Sequence, residues 1–294
     1  MPASSEHGRD SGPLPHVCGE RIVYFARTLA ESAMPIFTAI NYGQLASRYD
    51  ESRRAEPAIV GALVKGLRSL GARSVLEIGA GTGNYTGALV AEGLSVTALD
   101  RSPAMIEIGA EKASARWILS DALALPFRAH AVDAIAGVNV LHHLPRLSAT
   151  LAEFRRVARV GVVFQVVVRE SLASLWYRHY FPAIDEVLSP LHPTLGSLIT
   201  GMFHAGFSRV AAARIFYSGL GDLTFEAART RPHLLFDPAF RASTSGFRRL
   251  KSADIARGLA ELERDLDSGA FAQIAAASDA AHADSGDCVV ISAI

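Results

Sequence analysis

The rhythm of apolar positions changes along this chain, and the changes divide it. From Glu20 to Ala33 the residues Ile22, Val23, Phe25, Ala26, Leu29 and Ala33 recur at helical spacing until Pro35 interrupts them. Helical spacing returns over Tyr42–Tyr49 and again from Pro57 to Leu70, where Gly71 supplies a stop signal. From Ser74 onward short β-branched runs alternate with helical patterns. The predicted order is strand 75–78, helix 85–91, strand 95–99, helix 103–113, strand 116–119, strand 132–138, helix 147–158 and strand 160–168. Such alternation predicts a parallel sheet with helices on both faces.

After Val168 the pattern breaks. Residues 171–195 form an aromatic-rich insertion with Trp176, Tyr177, Tyr180, Phe181 and three prolines; helix 195–205 and strand 207–216 then resume the earlier rhythm. A second interruption, 218–286, holds one clear amphipathic helix, with Ile255, Leu259, Leu262 and Leu266 in a stripe and Gly269 after it. Cys288–Ile291 reads as a closing strand. The expected fold is therefore α/β: a Rossmann-like three-layer sandwich on a mostly parallel seven-stranded sheet with helical cap insertions. Its parts are a disordered Ser-, Gly- and Pro-rich tail (1–19), N-terminal cap helices (20–70), a core (71–217, with the 171–195 insertion), a helical substrate cap (218–286) and a closing strand (287–294). The insertions and N-terminal helices together are expected to cap the carboxyl edge of the sheet.

Composition narrows the function classes. Half of the 294 residues are hydrophobic, enough for a sizeable core, and no unbroken apolar run reaches the ~18 residues of a membrane span. Lys plus Arg and Asp plus Glu both number 29, so no global field favours nucleic acid or an anionic membrane. Small-molecule chemistry is the default expectation. Cys18 and Cys288 are too few for a metal cluster or a disulfide framework, which fits a reducing, cytoplasmic compartment.

The chemistry concentrates at Glu77-x-Gly79-Ala80-Gly81-x-Gly83, a glycine turn between a strand and a helix start. A dinucleotide fingerprint spaces its glycines G-x-G-x-x-G and has an apolar residue where Glu77 stands. A carboxylate there repels a pyrophosphate and suits an ammonium or sulfonium charge. Asp100 ends the next strand, placed to accept from both hydroxyls of a ribose. Asp121 follows the third strand, placed to accept from an exocyclic amine.

With Asp100 followed by Ser102-Pro103-Ala104-Met105, the segment Asp121–Phe127, and Asn139-Val140-Leu141-His142-His143-Leu144, the chain from about Tyr42 to Phe216 resembles the class I S-adenosylmethionine-dependent methyltransferases that act on small molecules. The resemblance implies S-adenosylmethionine as cofactor. It implies that Gly79, Ala80 and Gly81 pack on its methionine and ribose portions and that Glu77 orients its amino end. Asp100 would hold the ribose, Arg101 and Met105 flank the adenine, Asp121 and the Ala122 amide read its edge, and Asn139 and Val140 line the transferred-methyl side. Tyr42, Tyr49 and Arg53 are the N-terminal candidates near the cofactor.

Outside these motifs the readings are plainer. His142-His143 has no evident third metal ligand and reads as structural, and no metal site is expected. Trp176, Tyr177 and Tyr180 are either the core of the cap or a wall facing substrate. Arg229, Arg231, Arg241, Arg248, Arg249 and Lys251 read as a solvated cap surface, with an anionic-substrate site as the minor reading. For a hydroxyl acceptor the candidate bases are His142, His179 and Tyr177, with His179 preferred beside the aromatic cap. The expected reaction is methyl transfer to an O, N or C atom of a small molecule, a secondary metabolite as the working guess, with neither nucleic acid nor membrane as partner. Two alternatives stay open: a cofactor-binding protein with a rearrangement or regulatory role, and a nicotinamide-dependent oxidoreductase.

Overall fold

The structure, a computed structural model, describes residues 22–24, 54–144, 146–217, 225–244 and 246–294. Eight strands form one sheet: β1 (Ile22–Tyr24), β2 (Ser74–Ile78), β3 (Ser95–Asp100), β4 (Arg116–Leu119), β5 (Val132–Val138), β6 (Ala158–Val166), β7 (Val210–Ile215) and β8 (Cys288–Ala293). Their order is β1-β4-β3-β2-β5-β6-β8-β7. Pairing is parallel as far as β6, and β8 lies antiparallel to both β6 and β7. The seven strands expected from the sequence are all present.

The eighth strand corrects one expectation. Within the stretch 20–33, read as a helix, residues Ile22–Tyr24 are a strand paired in parallel with β4, Val23 opposite Ile118. β-Branched and aromatic residues in a row suit an open sheet edge as well as a helix face, and the edge of β4 decides between them. The rest of that stretch, the tail 1–19 and the helix expected over Tyr42–Tyr49 lie outside the described residues.

Period-2 burial on both faces explains the apolar runs. Val75, Ala134, Ala136, Val163 and Val290 pack beneath α1 (Pro57–Ser69) and Leu89 of α2 (Asn84–Ala91). Their neighbours Leu76, Ile135, Val162, Phe164 and Ile291 face the other layer, with Leu151 and Phe154 of α4 (Leu147–Val157) and Leu198 and Met202 of α8 (Leu195–His204). Between β3 and β4 runs α3 (Pro103–Lys112), whose Ile106 packs with Ala98 and Trp117. This is the three-layer α/β arrangement of a doubly wound sheet.

The insertion after β6 folds into three short helices, α5 (Arg169–Ala173), α6 (Tyr177–Tyr180) and α7 (Ile184–Leu188). The second insertion includes α9 (Pro238–Ser243), α10 (Ser252–Ser268) and α11 (Phe271–Ser285). Helix α10 is the predicted amphipathic one, and Gly269 ends it at φ +81°. It lies close against the carboxyl end of α6: a Cβ on Gly258 would stand 2.4 Å from Phe181 Cε1. The cap helices and the α1 face of the sheet share one cluster of buried side chains, from Leu63 and Val163 to Trp176, Phe240 and Leu262. Asp287 pins α11 to the β7 end, accepting from the Tyr217 amide at 2.7 Å and lying 2.9 Å from His282 Nε2.

Candidate functional site

Sequential strands diverge on either side of β2, since β3 follows it on one flank and β5 neighbours it on the other. Open sheets of this kind bind ligands outside the carboxyl ends of their strands at that divergence. The glycine turn emerges there. Gly79, Gly81 and Gly83 take φ of +65°, +56° and +80°, conformations that L side chains disfavour. A Cβ on Gly79 would also stand 2.5 Å from Val140 Cγ2, so Val140 from the β5 end closes directly over the turn.

Two carboxylates meet at this turn. Glu77 is buried and accepts a 2.6 Å hydrogen bond from the Thr86 hydroxyl of α2. Burial pushes its pKa up to about 7, the Thr86 bond opposes the rise, and the nearby charge of Asp100 adds to it. Asp100 accepts from the Gly81 amide through Oδ2 and from the Ser102 amide through Oδ1, both at 2.9 Å. Burial raises its pKa as well, against those backbone bonds. Each Asp100 oxygen keeps a further acceptor position for a ligand. A buried and a half-buried carboxylate, the second raising the cost of charging the first, fit a positively charged ligand, and the open, Cβ-free faces of the turn fit one that lies against backbone.

Asp121 sits in a loop held from below. Its Oδ1 accepts from the Leu123 amide at 2.9 Å. Glu153 of α4 accepts from the Leu125 amide at 2.9 Å, and Arg156 binds Glu153 while donating to the Phe127 carbonyl at 2.8 Å. Ala122 is buried beside Leu125, Met105 is buried on α3, and Arg101 stands exposed just past β3. The structure thus brings Glu77, Gly79, Ala80, Gly81, Asp100, Arg101, Asp121, Ala122, Asn139 and Val140 to one edge of the sheet, with Met105 in the first turn of α3. Tyr42, Tyr49 and Arg53 lie outside the described residues.

The cap residues are placed differently. Trp176, Tyr177 and Tyr180 are buried in the shared core; the Trp176 indole donates to the Arg229 carbonyl at 2.9 Å and the Tyr180 hydroxyl to Asp265 at 2.9 Å. His179 is exposed on α6, its ring edge-on to that of Tyr180. His142 follows β5, its ring 4.0 Å from that of His143 and stacked 4.7 Å from that of His192. Burial lowers the pKa of all three imidazoles, that of His143 to about 4; neighbouring histidines add to the fall at His142 and His143, and Arg169 adds to it at His192. Of the cap cations, Arg229 pairs with Asp279 at 3.1 Å, Arg241 donates to the Leu235 carbonyl, and Arg248, Arg249 and Lys251 are exposed. Sequence reading missed Gln165, His192 and the Glu153–Arg156 pair.

A doubly wound sheet whose β2 turn carries three left-handed glycines between the carboxylates of Glu77 and Asp100 fits a cationic ligand better than a pyrophosphate. Residues 76–166 match the family described as a methyltransferase domain, so the chain carries a methyltransferase domain, of the class I S-adenosylmethionine-dependent kind. It is similar to a protein of Anabaena variabilis described as a methyltransferase from an antibiotic biosynthesis pathway, with 27% identity and a TM-score of 0.69 over 82% of this chain and 98% of that one. It is 26% identical over 241 residues to the bifunctional biotin-biosynthesis protein of Cellvibrio japonicus, covering 79% of this chain but 48% of that protein, so it spans about half of that relative's length. A 90-residue stretch is 37% identical to a tRNA (carboxymethyluridine(34)-5-O)-methyltransferase of Xenopus tropicalis, covering 30% of this chain and 14% of that one. S-Adenosylmethionine is the methyl donor of this class.

Proposed function

We propose that this chain transfers the methyl group of S-adenosylmethionine to an O, N or C atom of a small-molecule acceptor, of the secondary-metabolite type, in the cytoplasm. The observation that carries the reading is the pair of carboxylates, the buried Glu77 and the half-buried Asp100, around the glycine turn. Bound there, the cofactor supplies a methyl carbon made electrophilic by its sulfonium, which leaves the protein chiefly the task of holding and orienting the reactants. Glu77 would meet its ammonium, Asp100 its ribose hydroxyls, and Asp121 with the Ala122 amide its adenine. The cap segments would cover the acceptor and exclude water.

A small-molecule acceptor is supported by the equal acidic and basic counts, by the likeness to the Anabaena protein across nearly its whole length, and by the absence of a membrane-long apolar helix among the described residues. The short match to a tRNA methyltransferase favours a second reading, an RNA acceptor. Incubation with methyl-labelled S-adenosylmethionine and, separately, a low-molecular-mass metabolite fraction or bulk tRNA decides between them. Label in the metabolite fraction supports the proposal, label in tRNA replaces it, and label in neither points to a regulatory or rearrangement role.

A further inference from the structure

Three buried polar atoms at the carboxyl ends of β5 and β6 have no hydrogen-bond partner among the described residues: Asn139 Oδ1, His142 Nδ1 and Gln165 Nε2. Buried polar groups are nearly always satisfied, so three orphans on adjacent strand ends call for a ligand. They are held there by specific local structure. Asn139 turns off β5 at φ +50°, and its amide donates to Gln165 Oε1 at 3.0 Å. That bond fixes which end of the Gln165 carboxamide is nitrogen, so a fully buried N–H pair is left facing outward from the bond. His142 is held between two other rings, and His192 is itself anchored by its Nδ1–H donating to the Val167 carbonyl at 3.0 Å.

Position sets Gln165 apart from the cofactor turn. The glycines follow β2, whereas Gln165 lies on β6, two strands away, or about 10 Å at the usual strand spacing. Val140 stands between, over Gly79. This is the flank of the crevice left to the second substrate.

Resting on the methyltransferase reading above, we propose that Asn139, His142 and Gln165 form the acceptor-recognition site and that the group they select is a neutral hydroxyl. Gln165 offers donors, and Asn139 Oδ1 and His142 Nδ1 offer acceptors; a hydroxyl oxygen satisfies the first while its single proton satisfies one of the others, leaving the remaining acceptor for a second donor on the substrate. A carboxylate would bring acceptor against the Asn139 oxygen, and an ammonium would bring donor against the Gln165 amide with no anion in the set to neutralise it. Among the described residues no group of three or more His, Cys, Asp or Glu is arranged to hold a metal ion. Burial keeps the imidazoles neutral, so the ring of His142 is an acceptor for the hydroxyl proton.

The test titrates the full chain, saturated with S-adenosylhomocysteine, with phenol, benzoate, benzylamine and toluene, following side-chain amide signals by 15N NMR; the Gln165 signal is the one missing from Gln165→Leu. Phenol alone is expected to shift it, and Gln165→Leu, which keeps the Asn139 amide bonded to the Gln165 backbone carbonyl, is expected to weaken phenol binding about tenfold, the worth of one hydrogen bond. A shift by benzoate or benzylamine equal to that by phenol, or no shift by any probe, overturns the inference. Calorimetry of S-adenosylmethionine on wild type and Gln165→Leu runs beside it. Equal binding to both with the wrong probe pattern removes only the hydroxyl site, whereas no binding to wild type removes the cofactor reading itself.

Discussion

The carboxyl of Glu77 and the hydroxyl of Thr86 are joined by a 2.6 Å hydrogen bond at the buried junction of β2 and α2. That bond does not compensate for burial, and the pKa of Glu77 stands at about 7 against an ordinary 4.5. Folding therefore favours the protonated form. The stabilisation is fully present below about pH 4.5 and is lost as pH rises to about 7, a difference on the order of 3 kcal/mol. A cationic cofactor favours the ionised form, so its binding below pH 7 expels a proton, and affinity falls by up to about tenfold for each pH step downward. Glu77→Gln is expected to flatten both profiles and to weaken binding at pH 8. Thermal melts and calorimetry from pH 5 to 8 check this; parallel profiles for the two proteins would exclude Glu77 as the titrating group.

Gly79 and Val140 are tested together. Gly79→Ala brings a Cβ to 2.5 Å from Val140 Cγ2 and holds alanine at φ +65°, costing roughly 1–3 kcal/mol. Adding Val140→Ala removes the 2.5 Å contact and leaves a Cβ–Cβ approach of 3.2 Å and the backbone strain, so the double variant should recover part of the loss of melting temperature. Full recovery would mean that the left-handed turn is tolerated without glycine.

Arg156 acts on Asp121 at a distance, by holding the Leu125–Phe127 stretch of its loop. Arg156→Met removes the bonds to Glu153 and Phe127 and is expected to raise the KM for S-adenosylmethionine several-fold with kcat little changed. Because the pair is partly exposed, the stability cost is about 1 kcal/mol. Arg156→Lys should restore part of the KM. A fall in kcat at constant KM would place its role elsewhere.

The features legible in the sequence are those carried by neighbours in the chain. Glycines at alternate positions, Glu77 before them and Asp100 at the end of the next strand lie where strand-turn-helix order puts them, and the sheet followed from β-branched runs. The features that escaped depend on distant partners. Gln165 reads as one polar residue within a buried strand until Asn139 donates to it, and His192 has meaning only stacked on His142. Glu153 and Arg156 look like an ordinary helix-surface pair until the loop after β4 lies against them. Helix α11 escaped because nearly half of it is alanine, with few large apolar residues to mark a face. His179 attracted attention through its aromatic neighbours, but those side chains turn into the core and leave it exposed. His179→Ala is accordingly expected to leave turnover within about twofold, as an exposed substitution on α6.

The central claim is that the glycine turn binds S-adenosylmethionine, and calorimetry with S-adenosylmethionine and NADH on wild type and Asp100→Asn tests it most directly. Wild type is expected to bind S-adenosylmethionine at one site and to give no heat with NADH. Asp100→Asn should weaken binding by roughly 10–100-fold, the worth of hydrogen bonds to a charged acceptor. Binding of NADH in place of S-adenosylmethionine, or an unchanged affinity in Asp100→Asn, would contradict the account.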